Sequence, residues 1–265
     1  MFQDSLYNEG YAVIDFHDCS PLAEIQKVVE ASFPCHPTAL HQESLSDEER
    51  LLLVKQVKDN ILKQGLIKKL LLANSDFLVQ LLGSDIDIQS DFYLRISRPH
   101  VEKDFIDWHR DTFYGNSFWE LNFWLPIFPL AEGAGLMVVP GSHFMAAENV
   151  RPIEDKDIFR SQVTKGSLAN ELGYLYASKS DDVIAALQPG QIKLLTPRLG
   201  QGILFFAHVA HRAHNASLKT RVSIDLRIKN MFAPTNTKPG YFQPLLRSVM
   251  TNCVEKMIKM NLTHA

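Results

Sequence analysis

From about residue 88 the chain becomes a series of short apolar runs broken by turn residues. That rhythm restricts the possible fold more than any other feature. "DFYLRISRP", "DWHRDTF", "ELNFWLPIF" and "GLMVVPGSH" are aromatic or β-branched stretches separated by Pro and Gly. The pattern resumes at "QIKLLTP", "GQGILFFAHVAH" and "RVSIDLRIKN". Many short strands linked by turns pack as two sheets around a shared core. The expectation is a mainly β chain with flanking helices (α+β), built on a double-stranded β-helix (jelly-roll, cupin-like) core.

Before residue 88 the periodicity is helical, with one exception. "GYAVIDF", Gly10 to Phe16, reads as a strand. Ser20 and Pro21 then offer an N-cap and a first-turn proline, with Leu22, Ile25 and Val29 as an apolar stripe. Ser46 and Glu49 have capping-box spacing and open a long helical run. There Leu51, Val54, Val57, Ile61 and Leu62 face one way, and Lys55, Lys58 and Lys63 form a solvated face. "SDFLVQLLG" predicts a shorter helix ending at Gly83, and a last helix is expected near Leu245 to Met260. The irregular segment 145–188 is the longest candidate for a loop or lid. There is no internal repeat or linker. The reading is one domain over 1–265: a helical part at about 1–87, a jelly-roll core at about 88–230 and a C-terminal helix at about 243–260.

Composition narrows the function classes. The chain has 265 residues, is 46% hydrophobic and carries a formal charge of −3. It can bury a substantial core, and its charge gives no sign of nucleic-acid or membrane-surface partners. The first residues lack the basic start and apolar run of a signal peptide. No apolar stretch approaches the roughly 20 residues that span a bilayer. Cys19, Cys35 and Cys253 are odd in number, scattered and without CxxC spacing. They argue against a disulfide framework or a thiolate zinc site, and for a reducing cytoplasm.

The chemistry-bearing candidates begin with "DWHRDTFYG", which places His109 and Asp111 two residues apart. In a strand, residues i and i+2 share a face, so the two side chains could chelate one ion. An HxD arises by chance in such a chain roughly 0.6 times, so the pair alone decides nothing. His41 and Glu43 make a rival pair, in a loop where no strand aligns them. A two-His, one-carboxylate iron centre needs a third ligand and keeps three positions open. "GILFFAHVAHRAHNASLKTRVSIDL" offers His208, His211 and His214 about 100 residues later. It also offers Arg221, whose guanidinium could hold the far end of a dicarboxylate through two parallel hydrogen bonds. His143 reads as a structural turn residue. Arg95, Arg98 and Arg110 either line a pocket mouth or pair with Glu102, Asp104 or Asp107.

Taken in order, these pieces resemble the phytanoyl-CoA dioxygenase family of Fe(II)/2-oxoglutarate-dependent oxygenases. The matching segments are "GYAVI", "HRD" at 109–111, the aromatic strand with Trp124, "EGAGLMVVPGSH" at 132–143, "PRLGQGILFF", and the run of His, N-x-S and Arg ending at Arg221. The resemblance implies Fe(II) on His109, Asp111 and His211, since His211 lies five residues after Phe206 and ten before Arg221. It implies 2-oxoglutarate against Arg221 and Trp124, and O2 as the oxidant. The family often has a small hydroxyl residue two after the distal histidine; here that position is Ala213. The activity implied is hydroxylation of an unactivated C–H bond in a small-molecule metabolite, or a desaturating or ring-forming variant, with release of succinate and CO2. A jelly-roll metal-binding protein without 2-oxoglutarate chemistry, either a cupin-like isomerase or hydrolase or a non-catalytic binding protein, is the alternative.

Overall fold

Strands and helices segregate into three layers, because the strand sequences divide their side chains between two faces. The computed structural model describes residues 2–101, 104, 106, 108–114, 116–145, 150–152, 176–178, 189–235, 237 and 239–262. In chain order the elements are α1 (Phe2–Glu9), β1 (Tyr11–Asp15), α2 (Ser20–Ser32), α3 (Asp47–Lys63), α4 (Leu66–Ala73) and α5 (Asp76–Leu82). Next come β2 (Ile86–Gln89), β3 (Tyr93–Ser97), β4 (Leu121–Pro126), β5 (Ala134–Val138), β6 (Val150–Pro152), β7 (Tyr176–Ser178), β8 (Lys193–Leu195) and β9 (Gln201–Phe206). The chain closes with β10 (His211–Asn215), β11 (Arg221–Asn230), β12 (Phe242–Leu246) and α6 (Val249–Leu262).

A seven-stranded sheet runs β1-β9-β4-β11-β2-β12, with β3 also paired to β11. Strand β11 bonds β4 along one edge, and β3 then β2 along the other. A smaller sheet, β10-β5-β8, stands opposite. One face of the large sheet presents Leu121, Phe123, Leu125, Leu204, Val222, Ile224, Leu226 and Ile228 to the helices. Leu22, Ile25, Val29, Val57, Ile61, Leu70 and Leu71 meet them there. The other face packs Tyr11, Trp124, Ile203 and Phe205 against Leu136, Val138 and Leu195 of the small sheet. All six residues of β4 are therefore buried, which is why "LNFWLP" lacks the apolar/polar alternation of a half-exposed strand. Gly202 on β9 permits this packing. A Cβ there would fall 2.5 Å from the Phe123 ring.

The helical expectations hold with local corrections. The Ser46–Glu49 capping box is formed in both directions. Ser20 lies inside α2, and Cys19 takes the N-cap position without a side-chain cap. The long helical run is α3, ending at Lys63, and Gly65 turns left-handed (φ 64°) before a further helix, α4, starts. In α3 the apolar stripe is buried only in its later turns. Val57 and Ile61 are enclosed, whereas Leu51 is 59% exposed. Strand β1 joins the large sheet beside β9, so the N-terminal part is not purely helical. Strand β12 occupies the start of the expected C-terminal helix and pairs with β2. The lid expected at 145–188 falls almost wholly outside the described residues. Among the described residues no helix is long and apolar enough to cross a membrane.

Asn74 joins the helical layer to the chain leaving β1. Its Oδ1 accepts from the backbone N–H of His17 and Asp18, and its Nδ2 donates to the carbonyls of Asp18 and Leu70. The side chain is buried, so Asn74→Ala strands those backbone groups in an apolar setting. The expected loss is about 2–3 kcal/mol of stability, read by urea unfolding.

Candidate metal centre

His109, Asp111 and His211 are brought together by backbone pairing rather than by one strand. His109 forms an isolated antiparallel bridge with His211, the first residue of β10. The two exchange both backbone hydrogen bonds, His109 N to His211 O at 3.1 Å and His211 N to His109 O at 2.9 Å. Directly opposed residues carry their side chains on the same side, and the imidazole centroids lie 4.3 Å apart. Asp111 opens a 3-10 turn, Asp111–Tyr114, instead of continuing a strand. The turn carries its carboxylate back toward the imidazoles. Oδ1 lies 3.4 Å from His109 Nε2 and 4.0 Å from His211 Nε2. All three residues are buried, and their ligand atoms fall within 4.8 Å of one another. Among the described residues no other group of His, Cys, Asp and Glu is so placed.

The protonation states suit a cation. Burial favours a neutral Asp111, but the Arg227 guanidinium beside it, with the two histidines, holds its carboxyl well below the usual carboxylate range. Burial, reinforced by repulsion from His109, lowers His211 to about 4. His211 Nδ1 donates to the Val209 carbonyl at 2.9 Å, which leaves the Nε2 lone pair facing the cluster.

Strand register separates the three distal histidines. Leu136 and Val138 of β5 point between the sheets, and they oppose Ala213 and His211. His214 opposes Gly135 on the other parity and therefore faces away from the triad. It lies within β10, not in the loop beyond. His208 bonds Thr112 through Nδ1 at 2.7 Å and packs on Phe118. His41 bonds Thr220, and its neighbour Glu43 ends a 3-10 turn, so that pair forms no cluster.

The motif residues around the triad have structural work. Arg110 points away from the metal side and donates to the carbonyls of Ser142 and His208. The Ser142 hydroxyl accepts from Ala210 N, one residue before His211. Ser142 of PGSH thus ties the HRD segment to the distal histidine. His143 bonds the Tyr7 carbonyl and is a turn residue. Arg98 makes a two-pronged pair with Asp104, and Arg95 lies 3.6 Å from Asp225.

Arg221 is buried on the face of β11 that looks between the sheets. It donates to the Gly135 carbonyl at 2.6 Å and the Ser97 hydroxyl at 2.9 Å. Its guanidinium stands 5.4 Å from the Trp124 ring. No carboxylate among the described residues pairs with it. Burial, with repulsion from Arg95, lowers it to about 10. Further polar atoms on the same sheet face are buried without a hydrogen-bond partner: Arg221 Nε, Ser223 Oγ and both amide atoms of Asn122. Sequence reading singled out neither Asn122, Ser223 nor Arg227. The usable signal was parity, since Ser223, Asp225 and Arg227 share the face of Arg221 in "RVSIDLRIKN".

No family model and no curated protein matches this chain. Solved structures do. The apo structure of the non-heme monooxygenase ThoJ is 13% identical with TM-score 0.57, covering 94% of this chain and 84% of that one. EvdO2 from Micromonospora carbonacea var. aurantiaca, complexed with 2-oxoglutarate, is 13% identical with TM-score 0.54, covering 90% and 94%. EctD from S. alaskensis, with 2-oxoglutarate and 5-hydroxyectoine, is 16% identical with TM-score 0.53, covering 92% and 82%. The fold is the double-stranded β-helix of these enzymes.

The register argument has a direct test in divalent-metal titration. His109→Ala, Asp111→Ala and His211→Ala each lose tight binding, while His208→Ala, His214→Ala and His41→Ala keep it. Retention in His211→Ala together with loss in His214→Ala or His208→Ala would refute the assignment.

Proposed function

We propose that this chain is a single-domain Fe(II)- and 2-oxoglutarate-dependent oxygenase of the phytanoyl-CoA dioxygenase type, acting on a small molecule. The observation that carries the reading is a juxtaposition. A buried His-His-Asp triad and a buried guanidinium, without a carboxylate partner among the described residues, share the space between two sheets. An isolated charge is expensive to bury. A triad alone suits several divalent metals, but a triad with an unpaired buried arginine suits a metal plus a dicarboxylate.

His109, Asp111 and His211 would hold the iron through three donors, leaving three positions for cosubstrate and oxygen. Iron with 2-oxoglutarate and O2 supplies oxidative decarboxylation, which yields succinate and CO2 and places one oxygen atom in a C–H bond. Arg221 would bind the distal carboxylate of 2-oxoglutarate. Trp124 would wall that end, and the unpaired Asn122 amide would meet a polar ligand atom. Ala213 provides no hydroxyl on this face, and Ser223 and Ser97 supply hydroxyls from β11 and β3 instead. The carboxylate of Asp111, where related halogenases carry a small residue, favours hydroxylation. The free thiols of Cys19, Cys35 and Cys253 suit a reducing cytoplasm.

Anaerobic titration of the Fe(II) protein with 2-oxoglutarate tests the reading through the metal-to-ligand charge-transfer band. The wild type develops the band. Arg221→Ala weakens cosubstrate binding by about 30-fold or more, since truncating one partner of a buried charge pair costs about 2–5 kcal/mol. Arg221→Lys, which keeps the charge and loses the fork, weakens it less. Iron affinity stays unchanged in both. A wild-type protein that binds iron but develops no band, with metal-dependent turnover and no succinate, points to jelly-roll metal chemistry without 2-oxoglutarate.

A further inference from the structure

We propose that Arg227 is the positioning residue of the metal centre, holding Asp111 so that a single carboxylate oxygen faces the ion. The inference rests on the triad being a metal site, and it assigns a function to a side chain that touches neither histidine in the described contacts. Arg227 Nη2 donates to Asp111 Oδ2 at 2.5 Å. The other oxygen, Oδ1, is the one 3.4 Å and 4.0 Å from the histidine Nε2 atoms. The two oxygens therefore have separate partners. The guanidinium is itself held from a second side, because Nη1 donates to Asp225 Oδ1 at 2.7 Å. Asp225 in turn lies 3.6 Å from Arg95, which is partly exposed. A row of alternating charges, Arg95, Asp225, Arg227 and Asp111, thus runs along the inner sheet face to the triad.

Net stability is a weak account of this arrangement. A buried ion pair often contributes no more than well-packed apolar side chains of the same volume. Metal chemistry does explain it. A carboxylate free to turn can bind an ion through both oxygens and so fill a position that cosubstrate or oxygen needs. A planar guanidinium fixed by Asp225 removes that freedom, since the Asp111 carboxylate cannot turn without breaking its charge-assisted hydrogen bond to Arg227. Partners that orient metal-bound carboxylates typically change affinity or activity by about 10–100-fold when removed.

The test uses Co(II) alone, with no cosubstrate, on the purified full chain. Wild type, Asp111→Ala, Arg227→Met, Arg227→Lys and Asp225→Asn are titrated with Co(II). Infrared difference spectra, metal-loaded minus metal-free, report the spacing of the carboxylate stretches. We expect wild type to bind with the wide spacing of one-oxygen coordination, and Asp111→Ala to lose binding. Arg227→Met binds about 10–100-fold more weakly, and its carboxylate spacing narrows as both oxygens engage. Arg227→Lys restores part of the affinity. Asp225→Asn, which leaves both Arg227 and Asp111 in place, shifts the spacing in the same direction by less. Should Arg227→Met fail to fold, the Lys and Asn variants carry the test. Wild-type affinity and spacing in all folded Arg227 and Asp225 variants, with Asp111→Ala defective, overturns the proposal alone. A wild type that takes up no Co(II), or an Asp111→Ala that binds like wild type, overturns the metal reading beneath it.

Discussion

The strict alternation of β11 is the constraint on which the rest of the structure depends. Its ten residues pair with three strands, and side chains in a strand go to opposite faces. Val222, Ile224, Leu226 and Ile228 all go to the helical layer, which gives that layer its core. Arg221, Ser223, Asp225, Arg227 and Lys229 therefore all go to the opposite face. A one-residue slip of register would exchange the two sets, burying charges among the helices and emptying the site. The helical core thereby fixes the position of the polar face.

A buried polar face is costly unless its groups find partners, and most of this one does. Lys229 donates to three backbone carbonyls, those of Asn230, Met231 and Ala233. Arg227 is shared between Asp111 and Asp225, and Arg221 is bonded to Gly135 and Ser97. The exceptions cluster on the same face: Asn122, Ser223 Oγ, and the Nε atoms of Arg221 and Arg227. Groups left unsatisfied together, beside a triad of metal-capable side chains, have a common explanation in a polar ligand. The same face carries both the proposed cosubstrate arginine and the proposed positioning arginine, six residues apart on one strand.

Much of the architecture was legible because it rests on local chemistry. The capping box at Ser46, the stop at Gly83 and the short runs after residue 88 each follow from nearby residues. The site was legible only in part. His109 and Asp111 stood out by spacing, yet the expected strand between them is a bridge followed by a 3-10 turn. Arg221 stood out by its place after N-x-S. Asn215 of that motif bonds the carbonyls of Ser97 and Lys219, and so shapes the loop that delivers Arg221. Arg227 and Asn122 did not stand out, because nothing local marks a strand arginine or asparagine as buried.

The sequence by itself determined the alternation of β11, the order of His109, Asp111, the distal histidines and Arg221, and the turns that break the chain into strands. Those properties depend on residues one to four positions apart. Only the tertiary structure decided which parity of β11 faces inward, and that His211 rather than His214 meets Asp111. Alternating "RVSIDLRIKN" reads equally well as a strand with its charges in water. The small sheet, built by the pairing of β5 with β10 and β8 and laid over that face, makes it an interior. Burial by segments distant in the chain is not a local property, and burial is what turns a row of ordinary charged side chains into a site.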